Sequence, residues 1–289
     1  MTDIQGLQPG IMRRKIGSIE VTALLDGYGK ADNELLVGFD AERAREIRKT
    51  AFLPETGPIA MPVSTFLVNT GQELILIDAG ASETWNPNMG KLAQMLQLAG
   101  VRPEQITKLL ITHMHPDHIL GAVTGTGEAF FPNAELVLSE IEHAFWTNDN
   151  YVTPDRKAVF DMARSVLAAY RERLKFIQDG QEIITGIQAV ALPGHTPGHT
   201  GYMISSDQDS LFVAGDIVHL CALQFAEPGW AVIFDADKNQ AIDTRKKALD
   251  QAATDRQLIT GMHMPFPGFG YAERNGNGYR FVPADWQYY

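Results

Sequence analysis

With 289 residues, 45% of them hydrophobic, and a formal net charge of −11, the chain is long enough to bury a large core and too acidic to neutralise nucleic-acid phosphates. Its single cysteine, Cys221, excludes an internal disulfide framework and reads as a packing residue compatible with the cytosol. The start, Met1-Thr2-Asp3-Ile4-Gln5-Gly6, lacks the basic-then-apolar order of a secretory signal and no run has the apolar length of a bilayer span, so a soluble, cytoplasmic chain with no membrane partner is expected.

No repeat, low-complexity tract or long linker divides the sequence, which predicts one domain over residues 1–289. Apolar, β-branched runs at 19–25, 65–68, 74–77, 108–111, 135–138, 187–192, 210–214 and 258–260 predict strands, many of them bounded by glycine, proline or asparagine. Helical patterns occupy 40–48, 91–99, 140–146, 159–176 and 240–253. A turn at Asn69-Thr70-Gly71 pairs the early strands, and later strands alternate with helices, which suggests two sheets with helices packed outside. The segment 29–55 mixes polar and apolar residues and is a candidate pocket lid or dimer contact.

The residues with chemical potential stand at strand ends. Thr112-His113-Met114-His115-Pro116-Asp117-His118 places four metal-binding side chains directly after the apolar Leu109-Leu110-Ile111. His113 and His115, two apart on extended backbone, point the same way, whereas Asp117 and His118 follow Pro116 onto a turn and face elsewhere, a geometry suited to two metals. Asp78-Ala79-Gly80, Gly194-His195, Gly215-Asp216 and Gly261-Met262-His263 each follow another strand, so five strand ends converge on one edge, as open α/β sheets build a site. A lone histidine is usually a surface residue, but that reading has to fail repeatedly within this one stretch.

Taken together, these stretches resemble the metallo-β-lactamase-fold hydrolases, whose pattern is His-x-His-x-Asp-His, a later histidine, a bridging aspartate and a last histidine. The resemblance runs from Ile19-Glu20-Val21-Thr22 through Leu76-Ile77-Asp78-Ala79-Gly80 to the C-terminal stretch, and it implies an α/β fold, the four-layered αβ/βα sandwich. By position it implies one metal on His113, His115 and His195, a second on Asp117, His118 and His263, with Asp216 and a water bridging them. The ligand types favour zinc and admit manganese, iron or cobalt. Within the superfamily, Gly194-His195-Thr196-Pro197-Gly198-His199-Thr200, Pro265-Phe266-Pro267-Gly268 and Gly278-Tyr279-Arg280-Phe281-Val282-Pro283 look like methyl parathion hydrolase and its lactone-cleaving relatives. That subgroup implies hydrolysis of a small ester, lactone or phosphotriester by metal-held hydroxide, with Asp117 also able to accept a proton. It also implies a homodimer.

Around the implied site, His199 reads as support for the ligands and Asp78 as a carboxylate orienting a ligand histidine, each against a plain turn role. Asp26, before Gly27, reads as a turn cap. His219 is a departure: lactone-cleaving relatives commonly carry tyrosine three residues after the bridging aspartate, so histidine there is either a catalytic substrate contact or a pocket wall. Trp85, Trp146 and Phe225 match places for substrate-pocket aromatics, with ordinary core packing as the alternative. His143, within the helical 140–146 pattern, reads as solvent-facing.

Two other reactions share much of this pattern. A glyoxalase II-like thioester hydrolase shares the ligands but binds glutathione through basic C-terminal residues, and the stretch 270–289 holds only Arg274 and Arg280. A mononuclear iron dioxygenase of the persulfide dioxygenase type would leave Asp117 and His263 outside the metal shell. A serine hydrolase is not indicated, since no Gly-x-Ser-x-Gly occurs.

Overall fold

The computed structural model describes residues 10–288, so the stretch read above for a leader lies outside the described residues. In chain order the first half holds β1 (Ile11–Ile16), β2 (Ile19–Ala31), β3 (Leu36–Val37), α1 (Ala41–Thr50), β4 (Ile59–Asn69), β5 (Leu74–Ile77), α2 (Leu92–Leu98), β6 (Ile106–Leu110), α3 (Pro116–Ile119), β7 (Glu135–Ser139), α4 (Glu140–Thr147), α5 (Lys157–Ala169) and β8 (Leu174–Ile177). The second half holds β9 (Glu182–Ile184), β10 (Ile187–Ala191), β11 (Thr200–Ser206), β12 (Asp209–Val213), α6 (Cys221–Ala226), β13 (Ala231–Val232), α7 (Lys238–Asp255), β14 (Leu258–Thr260), β15 (Gly270–Asn275) and β16 (Gly278–Pro283).

Two seven-stranded sheets result, ordered β1-β2-β4-β5-β6-β7-β8 and β16-β15-β14-β12-β11-β10-β9. β4 and β5 are antiparallel across the expected turn, where Gly71 has φ +82° and its N–H donates to Asn69 Oδ1. From β5 to β8 the pairing is parallel, because helices now carry the chain back between strands.

Strand periodicity sets the layers. In β5, Ile75 and Ile77 face the second sheet, joining Phe66, Ile204 and Val213, while Leu76 faces outward onto Leu96 of α2 and Val166 of α5. The second sheet does the same: Phe212 and Ile259 pack beneath Leu249 and Ala252 of α7. Each fully buried aliphatic side chain of these three interfaces contributes about 1.5–3 kcal/mol. The order helix, sheet, sheet, helix is the four-layered sandwich expected.

The predicted helix at 159–176 is corrected. It ends at Ala169, and Leu174–Ile177 instead pair in parallel with β7. The buried Tyr170 hydroxyl donates to Ala122 O and accepts from Phe131 N–H, which pins the chain where the helix stops. In the 29–55 segment, β3 pairs with β13, and α1 packs Ala44 and Ile47 against Leu220 and Leu223, while Gly29 and Lys30 reach the cavity described next.

Candidate metal centre

The five expected strand ends meet at one edge of the sandwich. β5 is followed by Asp78, which adopts a left-handed φ of +57° that aspartate tolerates better than most residues. This turns its carboxylate onto the neighbouring strand end: Oδ1 accepts from Thr112 N (2.7 Å), and Oδ2 from Thr112 Oγ1 (2.6 Å) and His118 Nδ1 (2.7 Å). Past β6 the chain bends at Thr112 and reaches His115 in extended conformation, then Pro116 opens the single-turn helix α3 that carries Asp117 and His118.

The side chains converge in two groups. His113 Nε2 and His195 Nε2 each lie 2.9 Å from His115 Nδ1. Asp117 lies 3.8 Å from His118 Nε2 through Oδ1 and 3.6 Å from His263 Nε2 through Oδ2. Asp216 Oδ2 stands between the groups, 3.1 Å from His263 Nε2, 3.2 Å from His118 Nε2, 3.6 Å from His195 Nε2 and 3.7 Å from His113 Nε2. Within each group the donor atoms fall inside 4.8 Å of one another.

Divalent cations fit this arrangement. Burial, reinforced by neighbouring imidazoles, holds His113, His115 and His195 well below the usual histidine range, so they are neutral, and a neutral imidazole keeps a ring-nitrogen lone pair that a cation can take. Asp216 Oδ1 is buried with no hydrogen-bond partner. An orphaned atom of that kind is costly, and a cation takes up its lone pair. Burial alone would lower His118 too, but Asp216, Asp117 and Asp78 together raise it well above the histidine range; Asp216 itself is driven well below the carboxylate range, its burial outweighed by His118, His263 and His219. In this half the imidazolium charge stands where a cation would.

The remaining ring nitrogens are oriented from behind. His263 Nδ1 donates to Pro62 O (2.8 Å). His199 Nδ1 donates to Leu192 O (2.9 Å) and its Nε2 accepts from Asp216 N (2.9 Å), which fixes the tautomer and sets the ring behind the Asp216 backbone. A Cβ at residue 215 would lie 2.3 Å from His199 Nε2, so only glycine fits there.

Two supports escaped the sequence reading. Asp235 Oδ1 lies 2.8 Å from His195 Nδ1. Glu142 is fully buried beside both ligand loops. Asp235 sits in no motif, and Glu142 stands in a Ser-x-x-Glu pattern at the start of α4, which signals a helix cap and not a support for ligands. Asp26 does more than cap a turn, accepting from the N–H groups of Ala81, Gly90 and Leu92 and so ordering the loop that carries Trp85.

A cavity of about 590 Å³ opens onto the centre. His115, Asp117, Asp216 and His219 form its floor, with Trp85, Trp146, Phe160, Ile233 and Phe234 around it. His219 Nε2 lies 3.2 Å from Asp216 Oδ2, and its ring stacks on His263 at 5.1 Å. Phe225 is a correction: α6 turns it into the core against Phe281 (5.4 Å between rings), and it does not line the cavity. His143 sits half-buried against the Phe176 ring, away from the site.

The family model for the Metallo-beta-lactamase superfamily matches residues 58–255, and the chain belongs to that superfamily. It is a metal-dependent hydrolase of this kind, with lactonases among its relatives. AidC, a dizinc quorum-quenching lactonase solved with the product N-hexanoyl-L-homoserine, is 30% identical with TM-score 0.90, covering 96% of this chain and 99% of its own. The beta-lactamase-superfamily hydrolase AbOPH is 31% identical with TM-score 0.92, covering 98% and 100%. The N-acyl homoserine lactonase of Bacillus cereus is 23% identical over 171 residues, 52% of this chain and 61% of that enzyme. Among the described residues no helix is long and apolar enough to cross a membrane.

Proposed function

We propose that this chain is a binuclear metallohydrolase that opens a small lactone or cleaves a carboxylic ester bearing an apolar arm. The observation that carries the reading is the position of Asp216 Oδ2, within 3.1–3.7 Å of ring nitrogens from both ligand groups. His113, His115 and His195 would hold one divalent cation, Asp117, His118 and His263 the other, and Asp216 both. When bound, such ions supply hydroxide near neutral pH and polarise the substrate oxygen. Zinc is the first choice on donor type.

The chain's own groups do the rest. The aromatic and aliphatic walls take the apolar arm and exclude water from it. Asp117, on the cavity floor, accepts the nucleophile's proton; attack forms a C–O bond at the acyl carbon, the ester C–O bond breaks, and the alkoxide takes that proton. His219 presents a ring nitrogen to the carbonyl or leaving oxygen. Its backbone is held by Gln224 Oε1, which accepts from the N–H groups of His219 (2.7 Å) and Leu220 (3.2 Å). A lactonase relative that matches this chain nearly end to end supports the substrate class.

The test pairs metal content of purified protein with kcat/KM on a lactone, an aryl ester and a methyl phosphotriester. Two ions per chain with the highest kcat/KM on the lactone or ester is expected. One iron per chain, with oxygen uptake and no hydrolysis, would replace this reading with the oxygenase.

A further inference from the structure

Glu142 lies on α4 one turn before Trp146 and is completely buried, yet the partners that satisfy it are four neutral donors. Its Oε1 accepts from Met114 N (2.9 Å) and Trp146 Nε1 (2.6 Å). Its Oε2 accepts from Thr196 Oγ1 (2.6 Å) and Gly198 N (3.1 Å). Met114 separates His113 from His115, and Thr196 follows His195, so one carboxylate joins both loops of the three-histidine group. Trp146, its fourth partner, is a cavity wall whose ring meets the His115 ring edge-on at 5.6 Å.

The approach is close as well as polar. A Cβ on residue 198 would fall 2.1 Å from Glu142 N and 2.6 Å from its Cα, so the His195 loop is seated directly on the start of α4. Burying a carboxylate is costly unless its lone pairs are filled, and here every donor comes from a ligand loop or the pocket wall. The other half of the centre is anchored elsewhere: His118 by Asp78 and by Ala79 N–H donating to His118 O, and His263 by Pro62 O.

We infer that Glu142 is a positioning residue that holds His113, His115 and His195 as one unit in register with the Trp146 wall, leaving the Asp117–His118–His263 half independent. The inference rests on the two-ion reading above. Glu142→Gln preserves shape but turns an NH₂ toward two donors: at one end Met114 and Trp146 N–H, at the other Thr196 and Gly198, of which only the threonine hydroxyl can rotate to accept.

The experiment strips the protein of metal and titrates it with zinc against a chromophoric chelator. Glu142→Gln should weaken one of two ions by about ten- to hundredfold, as loss of an orienting partner does elsewhere, and leave the other near wild type. His115→Ala should remove that same ion. Thr196→Val, which deletes a single hydrogen bond and keeps the side-chain shape, should weaken it by about two- to tenfold and guards against a Glu142 variant that does not fold. Trp146→Phe, which also removes one of the four bonds to Glu142 and trims the cavity wall, should weaken the same ion by a similar factor and in addition raise KM. Equal weakening of both ions together with a lowered Tm, or no weakening in either Glu142→Gln or Thr196→Val, overturns the positioning role. Wild-type protein that takes up no zinc overturns the two-ion reading, a result distinct from two ions bound without a split.

Discussion

Asp235 stands behind His195 as Asp78 stands behind His118, the carboxylate-to-Nδ1 distances being 2.8 and 2.7 Å. Each aspartate is fully or almost fully buried and each also accepts from a backbone N–H (Val232 and Thr112); each directly holds a ring from a different half of the centre, and Asp78 in addition reaches His113 through the Thr112 hydroxyl, 3.1 Å from His113 Nδ1. Asp235 has a second duty: Arg245, buried with it, lies 3.9 Å away, and burial lowers this guanidinium to about 10 against the partial support of that carboxylate. Asp235→Asn should therefore weaken one ion by about ten- to hundredfold and also lower Tm, whereas Asp78→Asn should weaken the other ion. Competition titration of each variant decides it; both variants weakening the same ion would refute the assignment of partners.

His219 touches Asp216, stacks on His263 and faces the cavity, but has no carboxylate or carbonyl behind it: its Nδ1 is buried without a partner. A ring without an orienting partner suits substrate contact better than permanent ligation. His219→Phe should retain two ions per chain and lose about a hundredfold in kcat on lactone and ester. Unchanged kinetics on every substrate would reduce it to a wall residue.

The cavity mouth explains the expected preference for an apolar arm. Ile233 and Phe234 are each 50% exposed beside the site, an unfavourable place for large apolar side chains without a partner to cover them. Their covering by substrate should make kcat/KM rise with acyl length, and Phe234→Ala should cut it about three- to tenfold for long arms while sparing short ones. The series of acyl lengths measured on both proteins gives the answer, and equal loss at all lengths would mean the ring acts otherwise.

The ligands were legible because chemistry compresses them: His113 to His118 occupy one stretch, and His195, Asp216 and His263 each follow an apolar run that the structure shows as β10, β12 and β14. Several strand ends were legible because β5, β6, β12 and β14 each close on a run of buried side chains. What failed were elements whose pattern is weak. β15 and β16 carry charges on their exposed face, Thr200–Ser206 mixes glycine and serine, and β8 continues the polarity of the helix before it. Phe225 failed because position along the chain does not tell which side of α6 faces the cavity. Asp235 and Glu142 act across 40 and 28 residues of sequence, and only the folded backbone brings them to His195 and Met114.

Tyr170 offers a test of the helical layer that holds the centre from outside. Its buried hydroxyl donates to Ala122 O (2.9 Å) and accepts from Phe131 N (3.2 Å), and burial pushes the phenol up to about 12. An unfolded tyrosine ionises near 10, so between pH 10 and 12 the unfolded chain releases a proton that the folded chain keeps. The stabilisation is therefore fully present below pH 10 and is lost as pH rises toward 12, at about 1.4 kcal/mol per pH unit. Tyr170→Phe should cost about 1 kcal/mol at pH 7 from the lost hydrogen bonds, yet its stability should fall less steeply than wild type above pH 10, closing the gap between them. Urea unfolding of both proteins from pH 7 to 11.5 reads this out, and parallel curves throughout would show that the phenol ionises as freely in the fold as outside it.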